Sequence, residues 1–192
     1  MKIEATPGST LLEPEELEGL IPPHVTTQEQ LNAWEMANII AAEQWAKKKR
    51  HILSVDFMQK LHHHMFDRTW KWAGKFRTSG KNIGMSWHMI PEELQKLCAD
   101  VVYQRAHNSF PDDEIAVRMH HRLVWIHPFP NGNGRHARLM ADLLIMQQGK
   151  PRFSWGATQN LYDPTPIRKK YIQALQLADR GDYSELIAFV RS

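Results

Sequence analysis

Residues 127–138 read His-Pro-Phe-Pro-Asn-Gly-Asn-Gly-Arg-His-Ala-Arg. An apolar helical pattern ends at Ile126, and Pro128 and Pro130 forbid its continuation. Two Asn-Gly pairs then supply left-handed, tightly turning backbone. A new helix starts at about Gly134. A glycine-rich turn feeding a helix start presents unbonded N–H groups and the positive end of the helix dipole, a combination suited to phosphate. Arg135 and Arg138 lie three apart and share a face of the first turn. Their planar forks match phosphate oxygens. His127 at the lip is of a type that takes a proton near neutrality. The stretch therefore reads as an anion site with a base beside it.

The flanking chain is mostly helical. Thr26 and Glu29 form a capping box for a helix to about Lys49, with Leu31, Trp34, Ala41 and Trp45 near one face. Ser54 caps a helix carrying Phe57, Leu61 and Met65. Pro91 opens a helix with Leu94, Leu97 and Val101 inward, and Pro111 opens one that runs through Leu123 to Ile126. The helix from Gly134 extends to about Gln148, with Gly149 as its stop. Thr165-Pro166 starts another, and a short last helix holds Leu186 and Phe189. Residues 75–90 break the helical pattern: β-prone pieces flank Ser79-Gly80-Lys81-Asn82, which reads as a hairpin. The fold class is therefore all-α with a small β-hairpin flap.

The chain of 192 residues suits one domain, with 42% apolar and 23% charged residues. Cys98 is the single cysteine, so no internal disulfide forms. No apolar run is long enough to span a bilayer, and the N-terminus lacks a signal-peptide pattern, so a cytoplasmic setting with no membrane partner is expected. Residues 1–35 carry a net charge of −6 and residues 36–192 carry +9. The basic body attracts an anion for which the acidic lead can compete. The segment 1–25 reads as a unit apart from the domain 26–192, with a short helix at 14–19 stopped by Gly19. The runs His62-His63-His64 and His120-His121 lack zinc-helix spacing. Lys47-Lys48-Lys49-Arg50 reads as a solvated helix end, so nucleic acid is not expected as a partner.

The 127–138 stretch resembles the motif of the Fic family (filamentation induced by cAMP), His-Pro-Phe-x-acid-Gly-Asn-Gly-Arg-x-x-Arg. Every fixed position matches except the acid, which is Asn131. Leu61-His62, Met65-Phe66 and Gly74-Lys75-Phe76-Arg77 extend the likeness upstream. Leu17-Glu18-Gly19-Leu20-Ile21-Pro22, Trp34-Glu35-x-Ala37-Asn38-Ile39 and Trp70-Lys71-Trp72-Ala73-Gly74 resemble the bacterial, mobile-element group called mobile mystery protein B. That group lies beside a helix-turn-helix partner.

The resemblance implies a helical Fic bundle that moves AMP from ATP to a Ser, Thr or Tyr hydroxyl of a target protein. His127 would be the general base. Asn133 and the amides of Gly132 and Gly134 would hold the α- and β-phosphates. Arg135 would pair with phosphate, and Arg138 would reach the γ-phosphate. Asn131 would be a weak ligand for Mg2+ or Mn2+, since its amide oxygen lacks a carboxylate's charge. Lys81, Asn82, Ile83 and Gly84 of the flap would align a target segment. Glu18 would be an inhibitory acid bridging to Arg138, which makes the protein autoinhibited and toxin-like; residues 28–49 offer a surface for a homodimer. The related Doc kinases carry Asn-Lys-Arg where this chain has Asn133-Gly134-Arg135, which favours nucleotidyl transfer. The alternatives are a Fic variant that moves another nucleotide or phosphate, and a weakly active or non-catalytic protein that binds nucleic acid or the helix-turn-helix partner.

Overall fold

Serine and threonine caps, prolines and glycines divide the chain into helices much as the sequence expects. The computed structural model describes residues 12–156 and 165–192. The helices are α1 (Pro14–Leu17), α2 (Gln28–Ala46), α3 (Val55–Phe66), α4 (Ile90–Ala106), α5 (Asp112–Ile126), α6 (Asn133–Gln147), α7 (Pro166–Ala178) and α8 (Ser184–Val190), with one 3-10 turn at Trp87–Met89. Ser54 Oγ accepts from the Phe57 N–H at 3.1 Å, and Thr165 Oγ1 from the Arg168 N–H at 3.2 Å. These contacts satisfy first-turn donors that the helices cannot. The capping box of α2 sits one residue later than its sequence signature. Thr27 Oγ1 accepts from the Gln30 N–H, and Gln30 Oε1 accepts from the Thr27 N–H, both at 3.2 Å.

The antiparallel pair α5 and α6 is the centre of the bundle. α4 and α8 pack on α5, α3 bridges α4 and α6, α2 lies along α3, and α7 pairs with α8. Met58, Leu61, Met65, Ala116, Leu123, Ile126, Phe129, Met140 and Leu144 are buried between them. Each fully buried side chain of this size contributes about 1.5–3 kcal/mol from apolar burial. On α6, Asp142 accepts from Trp155 Nε1 at 2.9 Å and from Arg152 Nε at 2.8 Å, which ties residues 151–156 to the helix.

Two expectations are corrected. The inward face of α2 is Leu31, Glu35, Asn38, Ala42 and Ala46. Trp34 lies partly out, with its Nε1–H donating to the Arg68 carbonyl at 3.1 Å. The stripe rotates because α2 turns a carboxylate, Glu35, toward α6 and accepts the Trp70 indole N–H on it at 2.8 Å. Among the described residues no strand forms at 75–90, and the hairpin flap is replaced by an irregular loop. The reason is Arg77. Its buried guanidinium donates to the carbonyls of Ser79 at 2.8 Å, Met85 and His127 at 2.6 Å, so it engages acceptors that a cross-strand ladder would use.

The isolated antiparallel bridge found joins Leu20 to Trp70, with the Ile21 N–H on the Thr69 carbonyl and the Lys71 N–H on the Gly19 carbonyl, both 2.9 Å. Gly19 is needed less as a stop than as a gap. A Cβ there would lie 2.7 Å from Trp72 Cδ1. The segment around α1 is thereby seated on Trp70 and Trp72, whose rings stack 5.0 Å apart.

Candidate functional site

His127 closes α5 in the left-handed region, φ 54° and ψ 60°. The conformation costs a non-glycine residue about 1–2 kcal/mol. Pro128 disfavours further helix at this residue, and three contacts hold the turn. The His127 N–H donates to the Leu123 carbonyl at 3.1 Å, Arg77 Nε to the His127 carbonyl, and His127 Nδ1–H to the Val124 carbonyl at 3.2 Å. The last bond fixes the neutral tautomer with Nε2 as the basic nitrogen. The residue is 5% exposed. Burial pushes its pKa down to about 4, against the raising effect of the Val124 hydrogen bond and with lesser help from the charges of Arg77 and Lys81. His127 is therefore neutral at pH 7.

The loop after it is shaped from inside. Phe129 is fully buried, stacked 3.7 Å from His62 and edge-on to His136 at 5.1 Å. The expected phosphate ligand Asn133 is spent on this loop. Its Oδ1 accepts from the Phe129 N–H at 2.9 Å, and its Nδ2 donates to the Phe129 carbonyl at 2.8 Å. Asn133 thereby holds the turn's shape, with one N–H of its Nδ2 donating to Phe129. Gly132 sits at φ 77°, and a Cβ there would press 2.6 Å from the Phe66 ring. No side chain caps the start of α6. Gly134 stands there with room around it, a Cβ meeting only Arg138 Nη1 at an ordinary 3.5 Å. First-turn amides without a side-chain cap are an anion site in form.

Arg135 reaches Glu35 of α2 and lies 4.7 Å over the Phe66 ring, while its Nη2 is 3.4 Å from Asn131 Oδ1. That oxygen also accepts from the Gly132 N–H at 2.6 Å. The guanidinium of Arg138 stands 5.7 Å over the Tyr171 ring. The expected bridge from Glu18 to Arg138 is not made. Glu18 caps the C-terminal end of α1 and is exposed. A carboxylate of α2, Glu35, is paired with the motif arginine Arg135. Its signal in the sequence is an acid on the inward repeat of α2.

The loop 75–90 crosses the site. Gly84, at φ 102°, lies so close that a Cβ would be 2.5 Å from His127 Cβ. Lys81, its side chain 1% exposed, forms an ion pair with Glu16 of α1 and lies 3.9 Å from Glu13. Asn82 and Ile83 lie between these two anchors on the same loop. The roles of Arg77 and of the Lys81–Glu16 pair are absent from the sequence reading, because partners 50 and 65 residues apart leave no local pattern. His62, in a histidine run that the sequence reading passed over for lacking zinc-helix spacing, bonds to both the Gly74 and the Asn131 segments. It accepts the Gly74 N–H on Nδ1 at 2.9 Å and donates from Nε2 to the Asn131 carbonyl at 3.0 Å. The other histidines go to separate partners: His120 to the Tyr171 hydroxyl, His121 to Asp179, and His136 to the Met58 carbonyl.

Comparison with known proteins gives the same frame. Residues 52–145 match the Fic/DOC family. Protein adenylyltransferase fic-1 of Caenorhabditis briggsae is 30% identical over 147 residues, covering 74% of this chain and 27% of that protein. Protein adenylyltransferase Fic of Drosophila willistoni is 37% identical over 121 residues, covering 62% and 23%. The chain thus spans about a quarter of the length of these curated relatives. The solved structure of Fic-1 from C. elegans superposes with a TM-score of 0.66 at 26% identity, covering 91% of this chain and 51% of that one. BepC of Bartonella tribocorum, solved with bound AMPPNP, shares the fold with a TM-score of 0.67 at 15% identity, covering 93% and 97%.

Proposed function

We propose, from the premise that residues 52–145 are a Fic/DOC-family domain, that this chain transfers AMP from ATP to a hydroxyl of a target protein. The observation that carries the reading is His127: a buried, neutral imidazole with Nδ1 tied to Val124, at the start of a turn that delivers α6 with no side-chain cap and with two arginines in its first turns. The adenylyltransferase names of the curated relatives support it.

In this reading the Gly134 amide takes a phosphate oxygen, the Gly132 N–H leaves Asn131 Oδ1 to take another, and Arg135 and Arg138 take the charge that builds on the departing pyrophosphate. The target hydroxyl gives its proton to His127 Nε2 as its oxygen attacks the α-phosphorus. The bond from that phosphorus to the β-phosphate oxygen breaks, and pyrophosphate leaves. A base already neutral needs no prior deprotonation at physiological pH. The loop at Lys81, Asn82, Ile83 and Gly84, which meets His127 at Gly84, aligns the target chain by backbone contacts. Label from ATP marked on the α-phosphate should reach protein, and label on the γ-phosphate should not; the reverse pattern overturns AMP transfer in favour of phosphate transfer.

The residues present fit a protein-held metal poorly. Asn131 offers one neutral oxygen, already accepting from Gly132 and close to the Arg135 guanidinium. No cluster of metal-ligating acids, histidines or cysteines occurs among the described residues. Divalent cation therefore enters as the counter-ion of ATP's own phosphates. Asn131→Asp should lower the Mg2+ or Mn2+ concentration for half-maximal transfer by about tenfold, as a carboxylate binds such hard cations better than an amide. An unchanged metal requirement would show that position 131 does not face the cation.

Autoinhibition is proposed through Glu35, whose carboxylate occupies Arg135 where phosphate would sit. The division into an acidic lead over 1–25 and a catalytic domain over 26–192 belongs to the same proposal. So do a bacterial setting and a helix-turn-helix partner, which rest on the motifs Leu17–Pro22, Trp34–Ile39 and Trp70–Gly74, and a cytoplasmic setting, which rests on the single cysteine and the absence of a signal-peptide pattern. Among the described residues no helix is long and apolar enough to cross a membrane.

A further inference from the structure

His62 stands on the inward face of α3 and is fully buried. Its two ring nitrogens are both committed, and in opposite senses. The Gly74 N–H can only donate, so Nδ1 accepts and the proton resides on Nε2; Nε2–H then donates to the Asn131 carbonyl. The two partners lie 57 residues apart in sequence. One is at the root of the loop that crosses His127, and the other opens the turn into α6. Both neighbourhoods also press a glycine onto α3. A Cβ at Gly74, φ 79°, would lie 2.8 Å from His63 Cβ, and one at Gly132, φ 77°, would lie 2.6 Å from Phe66. Phe129 stacks on the His62 ring from the third side.

We propose that His62 is a positioning residue: one imidazole that registers the anion-binding turn at Asn131 and the root of the covering loop at Gly74 against the same turn of α3. It acts through the Asn131 peptide, which sets where the Gly132 and Gly134 N–H groups point. This rests on the AMP-transfer reading for its catalytic consequence, and on the two hydrogen bonds for its structural one. A misplacement of phosphate donors by about 1 Å can cost on the order of 10²-fold in rate.

Two substitutions separate the two bonds. An Asn side chain overlays the Nδ1 side of imidazole, so His62→Asn keeps an acceptor for Gly74 and loses the donor to Asn131. A Gln side chain overlays the Nε2 side, so His62→Gln keeps the donor to Asn131 and loses the acceptor for Gly74. Each variant forfeits one buried hydrogen bond, so a purely structural residue should give similar losses in melting temperature and activity for both.

The measurements are amide hydrogen exchange and steady-state AMP transfer on the full chain. His62→Asn should speed exchange at residues 131–135 by at least about tenfold and leave the Gly74 region protected. Its kcat should fall by about 10²-fold with a smaller change in KM for ATP. His62→Gln should show the crossed pattern, with fast exchange near Gly74, protection at 131–135, and kcat within a few fold of wild type. Equal exchange in both regions for both variants, or activity that simply follows melting temperature, would overturn the proposal. If the wild-type protein transfers no AMP, the reading of the reaction fails, and the crossed exchange pattern alone still decides the role of His62.

Discussion

Acidification from pH 7 to pH 5 should lower the melting temperature by at least about 8 °C. Four histidines are buried in or behind the site. Burial pushes His120 down to about 3, His127 to about 4 and His136 to about 4, and it holds His62 well below the ordinary value. In the unfolded chain each returns to about 6.5. Between those limits the unfolded chain binds protons that the folded chain refuses, so stability is full above about pH 6.5 and falls as the pH drops toward 4. At pH 5 each of the three valued histidines costs about 2 kcal/mol.

Asp142 works the other way. Burial pushes it up to about 6, so its protonation below that value returns on the order of 1 kcal/mol at pH 5. The histidines win, leaving a loss of at least about 4 kcal/mol out of the 5–15 kcal/mol typical of a domain. At about 2–4 °C per kcal/mol for a chain of this size, the shift is large. Circular dichroism melts across this range are the check. A melting temperature that stays level to pH 5 would mean that these imidazoles are not held neutral in the folded protein.

Substitutions at Glu35 should split stability from nucleotide binding. Its carboxylate serves Arg135 on one oxygen and the Trp70 indole on the other, nearly shut off from water. Glu35→Ala removes both, a loss of about 3–5 kcal/mol for breaking a buried ion pair by truncating one partner. Glu35→Gln keeps an oxygen for Trp70 and removes the charge. The carboxylate that competes with phosphate for Arg135 is then gone, and ATP should bind about tenfold tighter than to wild type. Titration calorimetry with ATP, beside thermal melts, reads both effects. Unchanged affinity in Glu35→Gln would show that Arg135 serves α2 and not the nucleotide.

The parts of this molecule legible in its sequence are those governed by neighbours along the chain. Ser54, Thr165 and the prolines mark helix starts, since a cap acts within one turn. Pro128 and Gly132 mark the turn between α5 and α6, because each restricts its own backbone. What the sequence does not reveal is set by partners far away in it. The 75–90 segment has the composition of a hairpin, yet Arg77 takes carbonyls at Ser79 and Met85 and reaches on to His127, and the strands do not pair. Glu18 carries the sequence pattern of an inhibitory acid, but Gly19 beside it fits beneath Trp72 and Glu18 itself is exposed. Glu35, four residues after Leu31 on the buried side of α2, is paired with Arg135. Asn133 matches a phosphate ligand by position while its amide closes the Phe129 turn.

The measurement that tests the central claim most directly is transfer from ATP labelled on the α-phosphate, with Mg2+ and bacterial lysate as the source of target. Wild type and His127→Ala are compared side by side, with melting temperatures to show that both are folded. The account predicts labelled protein with wild type and a loss of about 10²–10⁴-fold with His127→Ala, the range a general base supplies. Equal labelling by the two proteins would contradict it, because the proton of the attacking hydroxyl would then go elsewhere.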